Sequence, residues 1–392
     1  MKILIASDSY KFQTSGAANV VITLANGLRR RGHSVKVLAL SNTGHSYRDG
    51  DDYYIRSLPF PVYPDLRTSF VRRDPLLDEL KAWKPDVIHL HTEGCIARMT
   101  RKIAAADHAP LVMTSHTDYA QFVFGRFCET LPVRLMAKEW GRFAYRGTRA
   151  VIAPSEKALS FSQLRTVARR SVVIPNGIRL SQFQKNFSAE ERAALFAKWG
   201  LRDNGKTLVM VSRISKEKNI REILGFLPAL LRREPDAQLV IAGDGPERAE
   251  LEAYSRTLGL TDCVRFTGRI PPEEVYRYYD MGQVFVSAST FEVHSLTYLE
   301  ALSCGLPLVC RADPCLKGVL EDGENGYAYH TERDFVESVS RILDDGTLRA
   351  RLCAGAIERA QNFSDERFVD RTLALYEKVL RRSRDVDRGR TA

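Results

Sequence analysis

Two glutamates separated by eight positions, Glu292 and Glu300, carry the strongest chemical signal in the chain. The residues between them lead into an apolar helix, whose first backbone N–H groups have no intrahelical partner and lie at the positive end of the helix dipole. Such a helix start attracts anions. A sugar attached to a diphosphate matches this arrangement, because amides would bind phosphate and carboxylates would accept hydrogen bonds from hydroxyl groups. The pair alone is equally consistent with a helix-entry acid and a solvated glutamate.

Three other segments of the second half follow predicted strands, where doubly wound sheets bind their ligands. Arg213 and Lys218 come after an apolar strand and before a helix, so they can reach two phosphates and offset the charge of a leaving diphosphate. Gly243 opens a Gly-Asp-Gly-Pro turn that lets the backbone approach a ligand, although a tight turn would also need its glycines. Arg269 and Ile270 lie at a third strand end, where backbone groups can read the edge of a base.

Two segments of the first half are candidates for the same ligand. Gly16 opens the first helix after the first strand, and in a two-domain cleft it would face the diphosphate from the opposite wall. His116 follows another strand, where a neutral imidazole can donate a hydrogen bond to a sugar hydroxyl. His89 and His91 are consistent with ordinary packing residues.

Short apolar strands alternate with amphipathic helices along the chain, which predicts an α/β protein with two parallel, doubly wound sheets. The predicted strands of the first half are Lys2–Ser7, Ser34–Leu40, Asp86–His89, Leu111–Ser115, Ala150–Ala153 and Ser171–Ile174. Those of the second half are Thr207–Val211, Gln238–Ala242, Val264–Thr267, Val284–Val286 and Pro307–Cys310. We expect one domain over residues 1–180, a second over 181–364, and a last segment, 365–392, in which a helix crosses back to the first domain before a polar, disordered tail.

Composition sets the broad class. The 392 residues suffice for two domains, and no apolar run approaches the ~20 residues of a membrane-spanning helix. The N-terminus reads as a strand rather than a signal peptide, and seven scattered cysteines indicate the reduced thiols of a cytoplasmic protein. Residues 1–180 contain 27 Lys and Arg against 15 Asp and Glu, whereas the remainder contains 31 against 33. The basic first half therefore predicts an anionic partner or surface.

In combination, these motifs resemble the signature of family-four retaining glycosyltransferases of the GT-B fold, over essentially the whole chain. The resemblance implies two Rossmann-like domains that face each other across a cleft. It implies that Arg213 and Lys218 bind the diphosphate, that Glu292 holds the donor sugar and Glu300 the ribose, and that His116 contacts the transferred sugar. The phosphate would be capped by the backbone amides of His294, Ser295, Leu296 and Thr297. The usual Gly-Phe-Gly after the first glutamate is replaced here by Val293, His294 and Ser295, which bears on the identity of the sugar.

A narrower likeness concerns the acceptor. The segments 296–302 and 116–119 are similar to those of bacterial diacylglycerol glucosyltransferases. If residues 131–146 form a helix, its basic side chains recur every fourth position and its large apolar side chains lie on other faces, as in a helix that lies on an anionic membrane. The basic residues are Arg134, Lys138, Arg142 and Arg146, and the apolar ones are Leu135, Met136, Trp140 and Phe143, with Phe122, Phe124 and Phe127 upstream. A core helix with a hydrated basic face is the alternative.

The expected function is transfer of a hexose, glucose by the narrower likeness, from a UDP-sugar to a hydroxyl of diacylglycerol or another membrane lipid, with retention at the anomeric carbon. No metal is expected, because cations already stand where a divalent ion would, and the nucleotide-sugar is a co-substrate rather than a cofactor. A soluble sugar or envelope glycan is the alternative acceptor, and a nucleotide-sugar epimerase is an alternative class. Nucleic acid is not expected as a partner, because no recognition motif is present. The expected location is the inner face of the cell membrane, as a peripheral protein.

Overall fold

The computed structural model describes residues 1–12, 15–59, 67–118, 130–161, 163–184 and 187–390. It divides the chain into two compact units. The first unit comprises Met1–Gly177 together with the helix that begins at Asp365, and the second comprises Ile178–Ser364. The division after Gly177 lies three residues before the expected boundary at 180.

The first unit is built on one large sheet. Its strands are β1 Lys2–Ser7, β2 Ser34–Leu40, β3 Tyr47–Asp49, β4 Asp52–Ile55, β5 Leu58–Pro59, β6 Arg67–Thr68, β7 Val87–Leu90, β8 Leu111–Thr114, β9 Thr148–Ala153 and β10 Ser171–Val173. Its helices before the second unit are α1 Gly16–Arg30, α2 Pro75–Ala82, α3 Cys95–Asp107, α4 Leu131–Ala144 and α5 Glu156–Leu159, with a 3-10 helix at Arg165–Arg170. The strand order is β10-β9-β8-β7-β1-β2-β4-β3, parallel except for β3, and β5 and β6 form a separate antiparallel pair.

The second unit repeats this architecture. Its strands are β11 Thr207–Val211, β12 Gln238–Ala242, β13 Val264–Gly268, β14 Val284–Ser287, β15 Leu308–Arg311 and β16 Gly326–Tyr329. Its helices are α6 Ala189–Lys198, α7 Ile220–Arg233, α8 Arg248–Thr257, α9 Val275–Asp280, α10 Leu296–Ser303, α11 Glu332–Asp344 and α12 Gly346–Ala360. Short 3-10 helices cover Leu180–Gln182, Lys216–Lys218, Pro314–Leu316 and Gln361–Phe363. The sheet is parallel throughout, in the order β13-β12-β11-β14-β15-β16.

Each sheet has a point at which the strand order reverses. In the first sheet the chain moves outward from β1 through β2 and later returns to the other side of β1 at β7. In the second it moves from β11 through β12 to β13 and returns beside β11 at β14. Parallel sheets of this kind bind ligands outside the carboxyl ends of the strands at such a point. From the topology, we therefore expect ligand-binding residues after β1 and β7 in the first sheet, and after β11 and β14 in the second.

Local sequence explains the elements on which these positions depend. Helix α1 buries Val20, Leu24 and Leu28 at helical spacing, and the chain leaves it through Gly32, whose φ of +77° suits a residue without a Cβ. In the second unit, β11 and β12 are continuous apolar runs because helices cover both faces of the sheet. The predicted α/β class with two doubly wound sheets is confirmed.

Two details differ from the sequence expectation. The strands β3 to β6 and β16 are not signalled by apolar runs, because they are only two to four residues long. All of them except β6 also contain Asp, Pro or Gly, which have low strand propensity. The last helix, α13, covers Asp365–Arg390 and so includes most of the tail expected to be disordered. A helix that is already nucleated extends at little cost per residue, and the tail has no proline to stop it.

Candidate functional site

The reversal point of the second sheet carries an ion pair. Lys218 ends the 3-10 helix after β11, and its Nζ lies 2.5 Å from Oε1 of Glu292, which follows β14. Both side chains are largely shielded, with exposed fractions of 22% and 12%. The sequence prediction assigned these residues to one ligand from separate motifs, and the structure brings them into direct contact.

Backbone hydrogen bonds hold the two segments together. The N–H of Thr290 donates to the carbonyl of Glu217 at 2.9 Å, and the Thr290 hydroxyl donates to the same oxygen at 3.2 Å. Asn219, in the left-handed region with a φ of 50°, ends the 3-10 helix and starts α7. Glu217 and Lys218 are therefore fixed beside the segment of Glu292. Sequence reasoning missed Glu217, because a contact through a backbone carbonyl leaves no signal in residue type.

Arg213 lies on the loop between β11 and the 3-10 helix and is exposed. Its loop is braced by the turn after β12: the N–H of Ile214 donates to the carbonyl of Asp244 at 2.9 Å. Arg213 and Lys218 therefore belong to one connection, between β11 and α7, at the edge of the sheet where ligands bind.

The glycines of the turn after β12 have a packing role. Gly243 has a φ of +146°, and a Cβ added there would lie 1.8 Å from the carbonyl oxygen of Ser212. A Cβ added to Gly245 would lie 2.2 Å from the carbonyl oxygen of Ile214. The turn thus needs glycine to lie against the segment that contains Arg213. A ligand contact at Gly243 remains a prediction.

The other predicted nucleotide contacts follow β13. Arg269 is exposed, whereas the side chain of Ile270 packs against an apolar cluster that includes Ala242 and Tyr278. Gly268 has a φ of +75°, and its carbonyl accepts a hydrogen bond from the N–H of Gly243 at 3.0 Å. The ends of β12 and β13 are joined in this way. A role of Arg269 and Ile270 in reading a base depends on backbone groups and stays a prediction.

Helix α10 begins as the sequence predicts. Ser295 is its N-cap residue but makes no side-chain capping hydrogen bond; its Oγ lies 3.1 Å from Oγ1 of Thr297. His294, just before the cap, is 8% exposed and its ring centroid lies 5.6 Å from that of Phe363. Burial lowers the pKa of His294 to about 4, so its imidazole is neutral at pH 7. The residues from His294 to Thr297, with Leu296 as the first helical residue, leave a helix start that suits an anion.

Glu300 lies one turn into α10 and has a partner that the sequence did not reveal. The hydroxyl of Tyr279, on α9, donates to Oε2 of Glu300 at 2.7 Å. Burial raises the pKa of the Glu300 carboxyl, and the Tyr279 hydrogen bond opposes this shift. Tyr279 itself is fully buried, so the bond holds the carboxylate in one orientation. No local spacing connects a tyrosine to a glutamate 21 positions later.

In the first unit, His116 lies just past β8 and next to the reversal point. Its Nε2 is 3.0 Å from Nδ1 of His91, which follows β7, and the two rings are nearly parallel. Burial lowers the pKa of His116 to about 4. His89 is fully buried and is hydrogen-bonded to Tyr376 at 2.6 Å and to Thr114 at 2.8 Å. The interpretation of His89 as a packing residue agrees with these contacts.

Gly16 is the first residue of α1, and the N-cap Ser15 accepts a hydrogen bond from the N–H of Ala18 at 3.2 Å. The helix therefore starts after β1, at the same edge of the sheet as His116. Gln13 and Thr14, which complete the loop in the sequence, lie outside the described residues. A phosphate contact at Gly16 stays a prediction.

Helix α4 buries small residues and exposes large apolar ones. Its inner face consists of Val133, Ala137, Gly141 and Ala144. Its exposed apolar residues are Leu131, Leu135, Met136, Trp140 and Phe143, with exposed fractions of 71%, 52%, 57%, 39% and 67%. At about 100° per residue, Arg134 and Lys138 lie between this apolar surface and the inner face, and Arg142 lies within the apolar surface, between Leu131 and Leu135. The described helix ends before Arg146, and Phe122, Phe124 and Phe127 lie outside the described residues.

The alternative of a core helix with a hydrated basic face does not fit these exposures. No helix in the described part of the chain has the length and apolar character that a membrane span needs.

Two family models cover most of the chain. One, described as "Glycosyltransferase Family 4", matches residues 14–182, and the other, "Glycosyl transferases group 1", matches residues 191–359.

Individual relatives agree with these matches. An alpha-monoglucosyldiacylglycerol synthase of Streptococcus pneumoniae is 33% identical over 345 residues, which cover 88% of this chain and 78% of the relative. A protein of the same name from Acholeplasma laidlawii is 27% identical over 96% of each chain. Among solved structures, Anabaena Alr3699/HepE in complex with UDP and glucose has a TM-score of 0.75 at 18% identity and covers 96% of this chain and 100% of its own. That structure supports the fold.

Proposed function

Because the chain belongs to the family-4 glycosyltransferases of the GT-B fold, we propose that it transfers glucose from UDP-glucose to the free hydroxyl of diacylglycerol, with retention at the anomeric carbon. The observation that carries the proposal is the Lys218–Glu292 pair beside the start of α10, at the reversal point of the second sheet. Two relatives named as alpha-monoglucosyldiacylglycerol synthases support the acceptor and the sugar.

The proposed donor site follows from the charges. Arg213, Lys218 and the amides at the start of α10 would bind the diphosphate, whose negative charge each of them complements. Glu292 is then released from its pair with Lys218 and accepts hydrogen bonds from the sugar. Glu300, oriented by Tyr279, accepts hydrogen bonds from the ribose hydroxyls. The base would meet backbone groups at Arg269 and Ile270, and Gly243 and Gly16 would allow close approach of backbone.

The proposed reaction breaks the bond between the anomeric carbon and the phosphate oxygen and forms a bond from that carbon to the acceptor oxygen. The acceptor attacks on the face from which the diphosphate leaves, and its proton passes to the departing phosphate oxygen. Arg213 and Lys218 stabilise the charge that develops on the leaving group. His116 donates a hydrogen bond to a hydroxyl of the transferred sugar, which fixes its position. The chemistry requires no metal in this scheme.

The proposed location is an anionic membrane surface, which the enzyme would contact through α4. A helix whose exposed apolar residues are flanked by basic ones lies in the plane of such a surface. Each basic residue near anionic lipid contributes about 1 kcal/mol. Phe143 and Leu135 would enter the interface, and Arg134 and Lys138 would lie at the level of the headgroups. A lipid acceptor is then delivered by diffusion within the membrane.

The test is transfer with defined components. The full chain is incubated with vesicles of diacylglycerol and anionic phospholipid and with a panel of nucleotide-sugars, and the products are identified by mass spectrometry. UDP-glucose should yield a monoglucosyl lipid, and its anomeric proton coupling should show the α configuration of the donor. A lipid product with the β configuration would exclude retention, and transfer confined to soluble acceptors would exclude the lipid. Conversion of the donor into another nucleotide-sugar without acceptor would indicate an epimerase.

A further inference from the structure

His91 is a buried histidine for which the proposed reaction has no direct use. It follows β7 and is 1% exposed. Its Nδ1 lies 3.0 Å from Nε2 of His116, and its Nε2 has no hydrogen-bond partner among the described residues. A buried histidine that satisfies one nitrogen through another histidine can determine where that second ring carries its proton.

The arrangement allows two neutral states. Burial lowers the pKa of both His91 and His116, so at pH 7 each ring carries one proton. If His116 donates from Nε2, the proton of His91 must be on its own Nε2, where a buried N–H would have no acceptor. If His91 donates from Nδ1, its Nε2 is a bare nitrogen, and the proton of His116 is on Nδ1. Buried N–H groups without an acceptor are rarer in proteins than acceptors without a donor, which favours the second state.

We propose that His91 is a positioning residue for glycosyl transfer: its Nδ1–H donates to Nε2 of His116 and thereby fixes His116 as the Nδ1–H tautomer, with that N–H offered to the sugar. The contact between His116 and the sugar rests on the proposed function, whereas the tautomer of His116 does not depend on it. The inference assigns a task to a residue that the sequence presents as packing. In this arrangement a proton added to Nε2 of His116 would force His91 to bury an N–H without an acceptor.

The tautomer can be measured without any substrate. In the ¹⁵N-histidine-labelled full chain, long-range ¹H–¹⁵N correlation spectra distinguish a protonated from a bare ring nitrogen. The signal of His116 is assigned by its loss in His116→Asn, and the exposed His45 serves as the reference for an unconstrained ring, which favours Nε2–H. We expect His116 to show a protonated Nδ1 and a bare Nε2. A protonated Nε2 on His116 in the wild-type chain would overturn the inference.

Two variants separate positioning from packing. His91→Phe fills the space but removes the donor, so the His116 signals should shift toward the reference pattern. The hydrogen bond from His116 to the sugar would then be lost, and kcat/KM for the donor sugar should fall about tenfold. His91→Asn places an amide N–H near the position of Nδ1, so it should restore the tautomer and most of the activity. Thermal unfolding of each variant checks that the fold persists.

The outcomes separate this inference from the proposed function. An unchanged His116 tautomer in folded His91→Phe refutes the positioning role, even if glucosyl transfer is confirmed. The expected tautomer in a chain that transfers no sugar would refute the proposed function instead. Equal losses of activity in His91→Phe and His91→Asn, with the tautomer restored in the latter, would show that packing rather than the proton matters.

Discussion

The exposed apolar surface of α4 predicts a membrane contact that can be tested by replacing two of its residues. The variant Leu135→Gln/Phe143→Gln keeps the charge of the helix and alters only side chains that are 52% and 67% exposed. Both face away from the inner face of Val133, Ala137 and Gly141, so the stability of the unit should change by less than about 0.5 kcal/mol per site.

The size of the effect follows from the exposed fractions. Complete burial of a leucine or phenylalanine side chain is worth about 1.5 to 3 kcal/mol. About half of Leu135 and two thirds of Phe143 are exposed, and only this exposed part can gain from contact with lipid. Multiplied by these fractions, the two side chains together should contribute roughly 2 to 3.5 kcal/mol to membrane partitioning. At about 1.4 kcal/mol per factor of ten, the double variant should bind vesicles roughly 30- to 300-fold more weakly.

The assay is sedimentation or flotation with vesicles of fixed diacylglycerol content and variable anionic phospholipid. The matched control is Ile357→Gln on α12 of the second unit, which replaces an apolar residue that is 45% exposed. Only the α4 variant should lose binding, and its transfer to lipid should fall while its affinity for the nucleotide-sugar is unchanged. Equal vesicle binding by the wild type and both variants would refute the assignment of the membrane surface to α4.

Three other predictions concern the polar groups. Lys218→Ala should lower kcat at least 100-fold, because it removes a cation from the proposed leaving group, whereas Lys216→Ala in the same 3-10 helix should have little effect; steady-state transfer assays check both. Tyr279→Phe removes the 2.7 Å hydrogen bond to Glu300 and should weaken nucleotide-sugar binding about 10-fold by calorimetry, without loss of fold. Burial lowers the pKa of His89 to about 3 from an unfolded value near 6.5. The contribution of neutral His89 to the free energy of unfolding is therefore intact above pH 6.5 and is lost as the pH falls, because the unfolded chain then binds the proton more readily. At pH 5 this difference should lower the free energy of unfolding by about 2 kcal/mol, which a lower unfolding temperature would show.

Local sequence was sufficient for the parts of the fold that depend on apolar runs. The bounds of β1, β2, β11 and β12 were predicted residue by residue, because each is a largely apolar run, interrupted in β2 only by Lys36, of the kind that a parallel sheet covered on both faces requires. The short strands at the edges depend on pairing with a neighbour rather than on their own residues, as in the antiparallel contact of β3 with β4. Their existence is a property of the tertiary structure and has no local signal.

The same distinction applies to the candidate site. Lys218 and Glu292 could be predicted because each follows an apolar strand, and strands β11 and β14 are neighbours at the point where the order reverses. Tyr279 and His91 could not be assigned a role, because each acts through one other side chain that is distant in sequence or on another strand. Residues that bind a ligand recur at strand ends, whereas residues that orient them are recognised only from contacts.

In helix α4 the sequence periodicity identifies the basic and the apolar positions correctly but does not give their orientation. Periodicity separates its basic from its apolar positions, but it does not say which face is buried. The structure shows that the smallest side chains face inward, and a Cβ added to Gly141 would lie 2.2 Å from the carbonyl oxygen of Gln163. Such close packing leaves no room for a large side chain on the inner face, so Phe143 and Leu135 must point outward for steric reasons. Their apolar character therefore does not serve the inner face of the helix. The proposed contact with a lipid surface would use these side chains, because the basic residues beside them match anionic headgroups.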